Sequence, residues 1–268
     1  MTVRDEAVAI ASDGERLPGT LVLPPPLPPG VLFVQGWGSG QDNYLPRARE
    51  IAALGCVCLT FEPRGVSKDD PRHDAVTRED NLRDVLAAYD LLAGRPGVDA
   101  SALAVVGSSY GAYLAAVLAS LRPVRWLALR VPALYKDEDW HVPKARLGGD
   151  ELDAYRRERV PAESNRALRA CAAFRGDVLL VESERDDTIP HPVIANYRAA
   201  FEAVRSLTYR VIADADHGLS EPRWQRAYTA LLVGWMREMV LGAREGGAAP
   251  EVHTDLAPAP RRGPPTPA

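Results

Sequence analysis

Apolar residues in this chain fall into short runs separated by glycine, proline and charged positions. Continuous runs at VLFV (31–34), CVCLTF (56–61), ALAVVG (102–107), VRWLALRV (124–131), DVLLVES (177–183) and LTYRVIA (207–213) predict strands buried on both faces. Between these runs the apolar period changes to that of a helix. Thr77-Arg78-Glu79-Asp80 has the form of a capping box, and Leu82, Val85, Leu86, Tyr89 and Leu92 then mark one face of a helix to about residue 93. Further helices are predicted over about 43–54, 109–120, 191–204 and 222–241. Two β-prone runs, 6–11 and 17–23, flank Asp13-Gly14 and predict an N-terminal hairpin, with PPPLPPG (24–30) as a stiff spacer after it.

Strand and helix alternate from residue 31 onward, which predicts an α/β fold with a mostly parallel central sheet and helices on both faces. The interval 132–175 holds no strand-like run and predicts a short, cap-like insertion of helices and loops over one end of the sheet. Residues 1–244 read as a single domain. The segment 245–268, poor in large apolar residues and rich in proline, reads as a disordered tail.

The 268 residues are 46% hydrophobic and 25% charged, an ordinary balance for a globular protein. A net charge of −4, without basic clusters, argues against nucleic acid as a partner. No apolar run is long enough to span a membrane, and the start MTVRDEAVAI lacks the apolar stretch of a signal peptide, so a cytoplasmic location is expected. Cys56, Cys58 and Cys171 read as buried free thiols, and nothing in the sequence has the spacing of a metal site.

Candidate chemistry centres on AVVGSSYGAY (104–113). Gly-x-Ser-x-Gly fits in one register, with Ser109 between Gly107 and Gly111, where a buried strand gives way to a small-residue helix. Such a turn presents the serine at the carboxyl edge of the sheet, near the N–H donors of a helix start. A serine hydroxyl needs a base to take its proton. Of five histidines, His73 lies in a charged loop, His141 in the insertion, His253 in the tail and His191 at a helix start. His217, in ADADHGLS just past the last strand, shares the edge of Ser109, and Gly218 suits a sharp turn there. Asp186, after DVLLVES, is the candidate carboxylate to orient His217, with Asp187 as competitor; Asp214 and Asp216 read as loop-shaping residues. The glycine-rich QGWGSG (35–40) sits at the same edge, so the backbone N–H groups of Trp37 and Tyr110 are expected to form an oxyanion hole. A phosphate loop is the rival reading of that segment, but neither GxGxxG nor a Lys-Ser/Thr ending is present.

These motifs together resemble the α/β-hydrolase fold superfamily over roughly residues 17–242. QGWGSG corresponds to its oxyanion loop, FEPRGVS (61–67) to its Asp-x-Arg-Gly loop, GSSYGAY to its nucleophile elbow, ESERDDTIP to its acid turn and DHG to its histidine loop. The chain order Ser109, Asp186, His217 is that of the superfamily. The pattern is most similar to the dienelactone-hydrolase-like and small esterase branches, although a serine replaces the cysteine of dienelactone hydrolases proper. The tyrosine after the serine also resembles prolyl-oligopeptidase-type catalytic domains, but no propeller or large N-terminal domain is expected ahead of this fold. Gln35 stands where the family carries histidine, and Glu62 where it carries aspartate.

The resemblance implies a serine hydrolase acting on a small-molecule ester or related acyl bond, without metal or organic cofactor. An acyltransferase, perhydrolase or small peptidase would use the same groups. A ligand-binding protein with little turnover is the alternative from another class. Tyr135 and Trp140, aromatic residues of the insertion, are read either as the lining of an apolar acyl pocket or as simple packing.

Overall fold

The fold was described from a computed structural model covering residues 4–12, 15–23 and 27–244. Two strands, β1 (Arg4–Ser12) and β2 (Glu15–Leu23), pair antiparallel as the expected hairpin, with Asp13-Gly14 outside the described residues. Six further strands form one parallel sheet: β3 (Pro29–Val34), β4 (Val57–Thr60), β5 (Asp99–Ser108), β6 (Trp126–Arg130), β7 (Asp177–Ser183) and β8 (Ser206–Ile212). Their order is β4-β3-β5-β6-β7-β8. The chain therefore leaves β3 toward one side and returns on the other, which opens a crevice at the carboxyl ends of β3 and β5. In open α/β sheets such a switch point is where ligands bind.

Alternation along the strands explains why the sheet is held on both faces. Leu32 and Val34 join one buried cluster, whereas Val31 and Phe33 join the other. Helices α1 (Leu45–Ala52) and α7 (Pro222–Arg244) cover the second cluster; α2 (Arg78–Ala93), α3 (Tyr110–Leu118) and α6 (His191–Ala200) cover the first. Thr77 and Asp80 close the predicted capping box at the start of α2, each side chain accepting from the other residue's N–H. Every residue of α3 is buried, which suits its run of alanine, leucine and glycine. Cys56 and Cys58 pack in one cluster and Cys171 in the other, none of them in a disulfide; burial pushes the Cys58 thiol up to about 12. Among the described residues no helix is long and apolar enough to cross a membrane.

Segment 132–175 contains α4 (Asp150–Arg157) and α5 (Arg166–Ala173) and no strand. It is less a cap than an extension of the core. The apolar face of α5, with Ala167, Leu168 and Cys171, packs against α3 and α6. Tyr135 and Trp140 line no part of the cleft: they are only 4% and 7% exposed and belong to this core, the packing alternative. Their rings are held by cations. The Arg166 guanidinium lies 3.7 Å from the Trp140 ring centroid, and the fully buried Arg78 lies 5.2 Å from Tyr135 and 5.5 Å from Trp140. Large aromatic rings gain more from this closed packing than from the wall of an open cleft. The proline-rich tail lies outside the described residues.

Removal of the Trp140 ring leaves a cavity that α2, α3 and α5 cannot all close. Trp140→Ala is expected to destabilise the fold by about 3–5 kcal/mol, read from the urea unfolding midpoint.

Candidate active site

Register brings two loops together at the crevice. Val34 pairs with Gly107, so QGWGSG leaves β3 level with the turn that leaves β5. At that turn Ser109 has φ 53° and ψ −118°, a conformation that costs a residue with a side chain about 1–3 kcal/mol. Its N–H donates to Arg130 O at 2.9 Å, which clamps the turn to the end of β6. The flanking glycines are required by space. A Cβ on Gly107 would stand 2.5 Å from Ala112 Cα, and one on Gly111 would stand 2.2 Å from Val34 O. The Gly-x-Ser-x-Gly pattern is thus the residue set that lets α3 start directly against β3 and β5.

Ser109, His217 and Asp186 come together from three strand ends. Asp186 Oδ2 lies 2.7 Å from His217 Nδ1, and His217 Nε2 lies 3.0 Å from Ser109 Oγ. An ionised carboxylate only accepts, so Nδ1 carries the proton and Nε2 is left to accept from the serine hydroxyl. The other Asp186 oxygen accepts from the N–H groups of Thr188 at 2.9 Å and Ile189 at 2.7 Å, so the carboxylate is fixed on both sides. Its side chain is 3% exposed. Asp187 is exposed and, among the described residues, accepts only from the Thr188 hydroxyl. Asp216 binds Ser220, and those bonds hold its carboxyl below the usual range; Asp214 pairs with Arg185. Both shape the loop around His217.

Gly218 does not make the turn of that loop. No Cβ clash exists there, and the positive φ values fall on Asp214 (59°) and Leu219 (52°) instead. The remaining described histidines lie elsewhere: His141 pairs with Glu79, His191 with Glu182, and His73 bonds Gly65 O while stacking on Trp37 at 4.5 Å. His253 is outside the described residues.

In the loop after β3, Gly36 N–H donates to the Tyr44 hydroxyl, Gly38 N–H to Val66 O and Ser39 N–H to Gly36 O. Of these four consecutive groups only Trp37 N–H has no acceptor among the described residues. Tyr110, as the first residue of α3, has no carbonyl one turn back to receive its N–H. Gln35, in the family's histidine position, is buried and donates from Nε2 to Ser39 O at 2.9 Å, tying the loop into a ring. Glu62 accepts from Gln41 N–H at 3.2 Å, which anchors the far end of the loop.

A cavity of about 340 Å³ opens beside Ser109 and His217. Its walls come from 36–47, 108–109, 130 and 217–228, and no residue of 132–175 reaches it. Tyr44, Arg47, Arg130 and Tyr228 are wall residues without a sequence motif. Arg130 alone left a trace: a charged residue closing an apolar strand at the carboxyl edge.

Residues 47–242 match the sequence pattern of the prolyl oligopeptidase family. The chain belongs to this family, and with it to the α/β-hydrolase enzymes. An uncharacterized protein of Mycobacterium tuberculosis is 27% identical over 191 residues, 70% of this chain and 63% of that protein. The chain thus spans under two thirds of the length of that relative. Solved structures share the fold at low identity. Carboxyl esterase 2 from Tuber melanosporum aligns with TM-score 0.57 at 17% identity, over 89% of this chain and 87% of that one. Dienelactone hydrolase from Anabaena variabilis aligns with TM-score 0.51 at 21% identity, over 87% and 96%.

The glycines of the site separate by the space around them. Gly111→Ala is expected to lower Tm by several degrees or prevent folding, because the new methyl meets the Val34 and Gln35 carbonyls. Gly218→Ala, with open space at Cβ, is expected to shift Tm by no more than about 2 °C in the same thermal scan.

Proposed function

We propose that this enzyme is a serine hydrolase that cleaves a carboxylic ester or related acyl bond of a small molecule. The unbroken series Asp186–His217–Ser109 carries the reading. His217 Nε2 takes the Ser109 proton as Oγ attacks the acyl carbon. The tetrahedral oxyanion then accepts from the N–H groups of Trp37 and Tyr110, which are held before the reaction begins and need no reorganisation. His217 returns the proton to the departing oxygen, leaving an acyl-enzyme. Water, deprotonated by the same nitrogen, releases the acid and restores the serine. Asp186 holds the imidazole in the required tautomer and offsets the charge it gains.

Membership of the prolyl oligopeptidase family favours a second reading, in which the scissile bond is the amide of a short peptide. The same residues would act, with His217 protonating an amine. Parallel rates on p-nitrophenyl esters and on p-nitroanilides separate the two readings.

A fluorophosphonate probe is expected to label Ser109, and Ser109→Ala to lose labelling and about four orders of magnitude in kcat on p-nitrophenyl esters. Ser108→Ala should keep most activity; a reversal of the two effects would move the nucleophile. Asp186→Asn should cost about 10⁴-fold in kcat by misorienting His217, whereas Asp187→Asn should cost little. Equal effects at the two positions would remove Asp186 from the mechanism.

A further inference from the structure

The wall of the cavity beside Ser109 carries more positive charge than its protein partners satisfy. Arg130 is only 8% exposed and ends β6 directly beneath the His217 loop. Its Nη1 donates to His217 O at 2.9 Å and to Ser183 Oγ at 3.4 Å, both neutral acceptors. Arg47 donates to Asn43 O at 2.8 Å and Thr229 Oγ1 at 3.1 Å, again neutral. Neither guanidinium has a carboxylate within ion-pair distance among the described residues, whereas Arg64, Arg72, Arg122, Arg166 and Arg205 each have one.

The two cations also share one aromatic neighbour. Arg47 and Arg130 lie 5.0 and 5.6 Å from the centroid of the Tyr228 ring. Burial draws the Arg130 pKa down and Arg47 adds to that shift, while Tyr228, Tyr44 and the more distant Asp186 carboxylate oppose it. A buried guanidinium remains protonated, so two like charges lie close to the Tyr228 ring in a wall that also includes Tyr44. An anion in the cavity relieves both the desolvation and the repulsion.

We propose that this cavity is a carboxylate subsite, so that the acyl substrates of the enzyme carry a carboxylate close to the scissile bond, held by Arg130 and Arg47. The proposal rests on the reading of Ser109 as nucleophile, because the cavity wall includes Ser109 and His217. A single negative charge fits better than a phosphate dianion. Asp42 lines the cavity from an exposed position, and Asp186 stands behind His217; both repel a second charge. At about 340 Å³ the space is near the lower limit of ligand pockets and suits a short acid rather than a long chain.

The test compares matched esters on the full chain. The p-nitrophenyl monoester of glutaric acid is set against p-nitrophenyl valerate, and 4-acetoxybenzoate against its methyl ester, so that the carboxylate is on the acyl side in one pair and on the leaving side in the other. In at least one pair kcat/KM is expected to favour the anion by about tenfold or more, and Arg47→Gln to reduce that ratio about tenfold. Arg130→Gln should reduce it further; if that variant does not fold, Arg47→Gln alone decides. Equal rates within both pairs, or a ratio unchanged in Arg47→Gln, would overturn the subsite. Competitive inhibition by inorganic phosphate but not by glutarate would overturn it in favour of phosphorylated substrates. Calorimetric binding of glutarate to the wild-type chain, about tenfold weaker in Arg47→Gln, supports the subsite even where no ester turns over, and absence of binding overturns it. Loss of fluorophosphonate labelling, by contrast, bears on the nucleophile reading alone.

Discussion

The turn at Ser109 is the constraint around which the rest of the crevice is arranged. To run from β5 into α3 within one residue, the chain holds a serine at positive φ and brings the α3 backbone against the Val34 and Gln35 carbonyls. Strain of about 1–3 kcal/mol persists only where neighbouring structure over-determines the conformation. Here the neighbours are the Arg130 carbonyl, which receives the Ser109 N–H, and a helix buried along its whole length. Val131, Asp214 and Leu219 also have positive φ, and all follow strand ends at the same edge of the sheet. Among the described residues, positive φ at non-glycine positions is thus confined to the edge where the proposed chemistry occurs.

Arg130 connects this strained edge to the histidine loop. Its carbonyl holds Ser109, and its guanidinium holds the His217 carbonyl, so one residue sets the separation of the two groups that must exchange a proton. A cation in this position also lies near the Asp186 carboxylate and offsets part of its charge. The same side chain faces the cavity, and so positioning of the proposed base and recognition of substrate charge converge on one guanidinium.

The 132–175 segment illustrates how packing can redirect an element. Its aromatic residues suggested a pocket wall, yet Tyr135 and Trp140 are drawn inward by Arg78, Arg166 and the apolar side of α3. With the segment committed to the core, the cleft is walled instead by the loop after β3, α1 and the start of α7. Gln35 shows the converse. Its place in the loop looked like a departure from the family, but its amide closes the loop by bonding Ser39 O, in the loop where the Trp37 N–H has no acceptor among the described residues.

The sequence by itself determined the parallel sheet, the element order, the capping box of α2, the Gly-Ser-Gly turn and the placing of His217 at the edge of Ser109. Each of these depends on local periodicity or on a residue type that only one backbone conformation tolerates. Asp186 was separable from Asp187 by its distance from Pro190, although only the structure gives it three donors. Tertiary structure alone decided the cavity. Tyr44 and Arg47, at the start of α1, are far apart in the chain from Tyr228 in α7, and no short-range pattern records that they meet. The two arginines look like ordinary surface charges in the sequence, because whether a cation is paired depends on which distant carboxylates the fold brings within reach.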